Sequence, residues 1–156
     1  GDTIKFTSLN PFRIKVTGRT KHFINAFGEE LIVENAENAI ESACKKTNST
    51  IREFTVAPIY LSDSTSGRHQ WLIEFSTPPN NLDYFIEILD NGLKNLNSDY
   101  EAKRHKNIAL RMPIVKSIPK GIFNKWLHHK GKMGGQHKVP RLSNERTILE
   151  EVLQLI

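Results

Sequence analysis

With 156 residues, 38% of them hydrophobic and 25% charged, the chain can bury a real core and is too apolar for a disordered segment. No run approaches the roughly 20 apolar residues that span a bilayer, and one cysteine, Cys44, excludes an internal disulfide framework. The formal charge of +5 is unevenly spread. Residues 102–144 carry eleven Lys or Arg and no Asp or Glu, against eleven cations and seventeen acids elsewhere. That segregation predicts an acidic body with one positive face or loop, suited to phosphate or another polyanion. The first residues, Gly1-Asp-Thr-Ile-Lys-Phe-Thr, alternate like a strand and lack a signal-peptide pattern. The expectation is a cytoplasmic protein with no membrane contact, cut from something longer.

Three strands are predicted first, over 3–9, 12–17 and 22–26, punctuated by Asn10-Pro11 and Gly18. Val33, Ala36, Ile40, Ala43 and Cys44 recur at helical spacing and predict a helix over 34–46. Strands over 51–61 and 70–76 follow, joined by a polar loop; Trp71, Ile73 and Phe75 share one face, as in a half-buried strand. After Pro78-Pro79 comes a helix with Leu82, Phe85, Ile86, Leu89, Leu93 and Leu96 as its stripe, and a short helical turn over 99–106. A strand over 109–117 precedes a helix that starts at Pro119 and buries Ile122, Phe123, Trp126 and Leu127. A Gly-rich loop then leads to a last helix over 143–156.

From 22 to 117 the order is β-α-β-β-α-β. The expected fold is therefore α+β: a single small domain with a ferredoxin-like core, extra N-terminal strands and two C-terminal helices.

The best functional candidate is the loop at 130–141. Gly131, Gly134 and Gly135 permit backbone shapes and close approaches closed to other residues. Lys130, Lys132, His137, Lys138 and Arg141 surround that backbone with charge. Lys delivers a point charge to phosphate, and Arg can grip it with two donors. No Walker A string is present, so composition leaves open either a phosphate site or a solvated basic turn. His128, His129 and His137 lack metal-ligand spacing, and no metal site is expected. Cys44, Trp71 and Trp126 lie on apolar faces and read as core. Glu29, Glu30, Glu34, Glu37 and Glu41 crowd the start of the first helix, where acids favour the dipole.

Two strings carry more than composition does. Gly18-Arg19-Thr20-Lys21-His-Phe-Ile-Asn-Ala-Phe-Gly28-Glu-Glu-Leu31, followed by Val33-Glu34-Asn35 and a helix, resembles the start of the C-terminal domain of adenylate-forming enzymes. In this version it is most similar to the Gretchen Hagen family of auxin-responsive acyl-acid amido synthetases, with a bacterial member expected. Gly134-Gly-Gln136-His-Lys138-Val-Pro-Arg141 matches that family's late Gly-Gln-x-Lys-x-Pro-Arg element, about 110 residues further on.

The resemblance implies a ligase that activates a carboxylic acid with ATP and Mg²⁺ as an acyl adenylate, then transfers the acyl group to an amine or amino acid. It implies that this chain is the mobile C-terminal domain, inactive and binding no cofactor alone, with the N-terminal adenylation domain as its partner. It places Lys138 at the α-phosphate as the catalytic cation. Asp2, Gln136 and Arg141 become nucleotide contacts, Arg141 as a group that steadies either the loop or the phosphates. Arg19 and Lys21 fall at the hinge. The competing expectation is a basic nucleic-acid-binding module on a ferredoxin-like sheet, although the stacked-aromatic RNP string is missing.

Overall fold

Alternation and turn chemistry build the first element. In a computed structural model, which describes residues 2–19, 22–61, 66–107, 109–131 and 138–156, strands β1 (Asp2–Leu9) and β2 (Phe12–Arg19) form an antiparallel hairpin. Ile4 faces Val16 and Phe6 faces Ile14, so these four side chains share one face, and Leu9 pairs with Phe12 at the tip. Lys5 and Lys15 pair on the other face, where Lys15 reaches Glu34 at 3.0 Å.

Past residue 21, β3 (Phe23–Ile24) and β4 (Leu31–Ile32) pair antiparallel across a bend that contains Gly28 at φ +82°. Helix α1 (Val33–Thr47) follows at once. Its buried stripe of Ala36, Ala39, Ile40 and Ala43 keeps the three- and four-residue spacing seen in the sequence. Asn48 ends it in the left-handed conformation, with its N–H on the Cys44 carbonyl.

The central sheet has three strands. β5 (Thr50–Tyr60) pairs antiparallel with β6 (Gly67–Thr77), and β6 pairs in parallel with β7 (Ile114–Ile118). Helix α2 (Leu82–Leu96), capped by the Asn81 side chain accepting from the Tyr84 N–H at 3.0 Å, packs beside α1. Gly92 lets the two helices approach, since a Cβ there would lie 3.2 Å from Ala39. Helix α3 (Ser98–Arg104) leads toward β7, and α4 (Ile122–His129) and α5 (Thr147–Leu153) close the chain.

The α+β class follows the expectation, but the sheet departs from the ferredoxin-like one. β3 pairs with β4 in a separate ribbon, and the free edge of β6 is taken by β7. A two-residue strand that turns back at Gly28 is satisfied locally and has no length left to enter the sheet. β6 is also buried on both faces. Phe54, Val56, Trp71, Ile73 and Phe75 pack under α1 and α2, whereas Ala57 and Leu72 pack under α4 and α5 with Phe123, Trp126, Leu149 and Val152. The alternation of Trp71, Ile73 and Phe75 therefore marks one of two cores.

The elements predicted over 109–117 and 143–156 are also shorter than expected. The strand expected over 109–117 begins at Ile114, because Pro113 has no N–H for a ladder; Leu110 makes only an isolated bridge to Gly67. The helix expected over 143–156 spans only Thr147–Leu153; the chain just before it runs along β5 instead, with the Ser143 N–H on the Val56 carbonyl at 3.1 Å.

Gly67 is the tightest point of the sheet. A Cβ there would sit 2.2 Å from Phe27 and 2.3 Å from the Ile59 carbonyl oxygen. The backbone cannot yield, so Gly67→Ala is expected to cost about 1–3 kcal/mol, read as a lowered urea midpoint at unchanged slope.

Candidate functional site

The candidate loop returns to the described structure at Lys138, and the residues after it are held firmly. Val139 is buried in the core under α4 and α5, and Leu142 in the core under α1 and α2. Two residues, Pro140 and Arg141, thus carry the chain from one side of the sheet to the other around the edge of β5. The Thr55 hydroxyl donates to the Pro140 carbonyl at 2.8 Å, the Val56 N–H to the Arg141 carbonyl at 2.8 Å, and the Ser143 N–H back to the Val56 carbonyl. A parallel bridge joins Val56 to Leu142. With Val139 in one core and Leu142 in the other, Lys138 is exposed at the start of this strap.

Arg141 is clamped. Its Nε donates to Glu53 at 3.0 Å, its Nη1 to Glu37 on α1, and its guanidinium lies 5.1 Å from the centroid of the Phe54 ring. Phe54 in turn stacks on Trp71 at 5.6 Å. Asn144 makes a second attachment. Its Oδ1 accepts from the Asn25 N–H at 2.8 Å and its Nδ2 donates to the Phe23 carbonyl at 3.2 Å, tying the strap to β3. Beside Arg141, between α1 and the start of β5, lies an open cleft of about 460 Å³, lined in part by Ile40, Cys44, Ile51 and Phe54. Burial pushes the Cys44 thiol up, partly offset by its hydrogen bond with Ser49, which makes it a poor nucleophile at neutral pH.

Of the residues singled out in the sequence, Lys138 and Arg141 come together on this strap. Asp2 and Arg19 pair at the open end of the first hairpin; their side chains, together with Lys21 and Gln136, lie outside the described residues. His128 and His129 are exposed on the last turn of α4, and no group of three or more His, Cys, Asp or Glu among the described residues is placed to hold a metal ion.

At least three of the eleven cations in the basic segment are paired with acids. Arg104 is buried against Asp90, Lys130 reaches Glu151, and Arg141 is shared by Glu37 and Glu53. The acids that neutralise these cations come from outside the segment, so composition along the chain exaggerated the surface charge. The carboxylates of Glu37 and Glu53, the Thr55 hydroxyl and the Asn144 amide carry no local sequence signal. Only the path of the strap brings them to it.

A second polar cluster is structural. Glu29 and His69 are fully buried and joined at 2.7 Å, with Glu29 also accepting from the Phe27 N–H at 2.7 Å. Burial works to raise the Glu29 carboxyl, but its bonds to His69 and to that backbone N–H win and hold it below its ordinary value.

A three-stranded sheet covered by helices on both faces, with an exposed lysine at the start of a strap pinned to the sheet edge, defines a small α+β domain. The chain belongs to the GH3 C-terminal domain family: the model described as "GH3 family C-terminal domain" matches residues 34–147. Among solved structures it is similar to one titled "GH3.15 acyl acid amido synthetase", with TM-score 0.76 and 17% identity over 99% of this chain. It is likewise similar to "AtGH3.15 acyl acid amido synthetase in complex with 2,4-DB", with TM-score 0.74 and 17% identity over 99% of this chain. At that identity the likeness is one of fold. The chain spans 29% of the length of each of these proteins. No curated protein sequence matches it. No helix among the described residues is long and apolar enough to cross a membrane.

Proposed function

We propose that this chain is the mobile C-terminal domain of an acyl-acid amido synthetase, a ligase that forms an acyl adenylate from a carboxylic acid and ATP and passes the acyl group to an amine or amino acid. The observation that carries the reading is the placement of Lys138. It is exposed, yet the next residues are buried and hydrogen-bonded to β5. A cation on a fixed base can be delivered to a defined point when the domain closes, and can there stabilise charge that develops on the α-phosphate. In this reading Gln136 contacts the nucleotide, Asp2 meets the ribose, and Arg19 and Lys21 form the hinge. Mg²⁺ arrives with ATP, and the domain alone is inactive.

The first hairpin supports a large partner domain. Its polar face turns to α1 through the Lys15–Glu34 pair, while Ile4, Phe6, Leu9, Phe12, Ile14 and Val16 are exposed, Phe12 by 77%. An amphipathic ribbon with its apolar face outward needs a cover. The rest of the enzyme, which makes up most of the length of the two similar proteins, supplies one. The pairing of Arg104, Lys130 and Arg141 with acids leaves fewer cations for a nucleic acid, and the stacked-aromatic RNP string is missing.

The test is acid-dependent pyrophosphate release by the full-length enzyme across a panel of carboxylic acids. Release with one class of acid and none without acid is expected. No release with any acid, together with RNA binding that falls steeply with salt, would transfer the chain to the competing class.

A further inference from the structure

We propose that Arg141 is a positioning residue for Lys138 and not a contact to the nucleotide; the proposal rests on the function assigned above to Lys138. An arginine three residues after a phosphate-facing lysine invites the assumption that both reach the same anion. The partners of this side chain point elsewhere. Its guanidinium is shared between Glu53 on β5 and Glu37 on α1 and lies over the Phe54 ring. Moving it to a phosphate would break two charge-assisted bonds and leave Glu53, already only 21% exposed at its side chain, without its cation.

The backbone around Arg141 is held by the same elements. Its carbonyl takes the Val56 N–H at 2.8 Å, and the preceding carbonyl takes the Thr55 hydroxyl at 2.8 Å. Side chain and main chain of one residue thus lock the strap to the start of β5, and the lock determines where residue 138 emerges. Reacting groups tolerate little misplacement: an error of about 1 Å can lower a rate by about 100-fold. Arginine is needed because a planar cation can bond to two carboxylates and lie over an aromatic ring at once; lysine offers a compact point charge instead.

The experiment measures kcat and ATP KM for acid-dependent pyrophosphate release in the full-length enzyme. The variants are Arg141→Ala, Arg141→Lys, Glu53→Gln and Lys138→Ala, with a thermal melt of each. Positioning predicts that both Arg141 variants lower kcat by about 10-fold or more, with ATP KM changed less than about twofold. Glu53→Gln, which removes charge from the clamp and touches no phosphate, moves kcat in the same direction. Combined with Lys138→Ala, Arg141→Ala adds nothing, because it acts through that lysine.

A raised ATP KM at unchanged kcat in Arg141→Ala would overturn the proposal in favour of a nucleotide contact. So would a silent Glu53→Gln beside a damaging Arg141→Ala, or additivity with Lys138→Ala. If Arg141→Ala does not fold, Glu53→Gln and Thr55→Val carry the test, and wild-type kcat in both overturns it. A damaging Lys138→Ala beside silent Arg141 variants sinks this inference alone, whereas a silent Lys138→Ala sinks the functional reading with it.

Discussion

Lys138→Ala in the full-length enzyme is expected to lower acid-dependent pyrophosphate release by roughly 10²–10³-fold, the usual effect of removing one preorganised charge donor from a transition state. ATP binding should change far less, because an exposed lysine on the rim of a domain contributes little before that domain closes. Amide formation from a supplied acyl adenylate should be affected less, since charge in the addition step develops first on the acyl oxygen and reaches the α-phosphate only as AMP departs. Lys138→Arg retains charge with a different shape and should recover part of the rate. The distinguishing measurement is the split between the two half-reactions. Equal loss in both would indicate a general closing defect, and unchanged pyrophosphate release would remove Lys138 from the chemistry.

The largest effect on stability is expected at Asp90. This carboxylate is buried on α2 and accepts from Tyr100 at 2.8 Å and from Arg104 at 2.7 and 2.9 Å, with Lys94 at 2.6 Å. Arg104 also donates to the Leu110 carbonyl at 3.0 Å, so the cluster joins α2, α3 and the segment before β7. Asp90→Ala leaves a buried guanidinium and a buried phenol without their acceptor and should cost about 3–5 kcal/mol in urea unfolding. Removing Arg104 as well should recover part of that loss, because no uncompensated charge then remains.

The same carboxylate gives the acid limb its sign. Burial works to raise Asp90, but the bonds from Arg104, Lys94 and Tyr100 win and hold it below its ordinary value. A depressed folded value means that its stabilisation is complete above the unfolded value, about pH 4, and is lost as pH falls through the folded one. Glu29 is lowered too and acts in the same direction. Urea midpoints should therefore hold steady down to about pH 5 and drop below about pH 4. Asp90→Asn should start lower and fall less steeply; an acid limb identical to that of the unaltered protein would exclude Asp90 as its source.

Much of this architecture was legible along the chain. Helices α1, α2 and α4 declared themselves by apolar residues three and four apart, and β5 and β6 by β-rich runs bounded by turn residues. These are properties of one element at a time. The glycines, Lys138 and Arg141 marked the loop, and two separated strings together suggested the family, because residue type and order suffice for that.

What tertiary structure alone decided was pairing. The bend at Gly28 is local, but nothing near residue 23 says that β7, some 90 residues further on, takes the edge of β6. Nothing in Trp71, Ile73 and Phe75 says that the opposite face is also covered, because its covers, α4 and α5, lie some 50 to 80 residues away. The partners of the buried and clamped charges come from equally far: 40 residues from Glu29 to His69, 88 from Glu53 to Arg141 and 104 from Glu37 to Arg141. A charge pair depends on distance in space, which local periodicity does not encode. The sequence therefore shows eleven cations in an acid-free stretch, while only the fold decides which are neutralised and leaves Lys138 exposed.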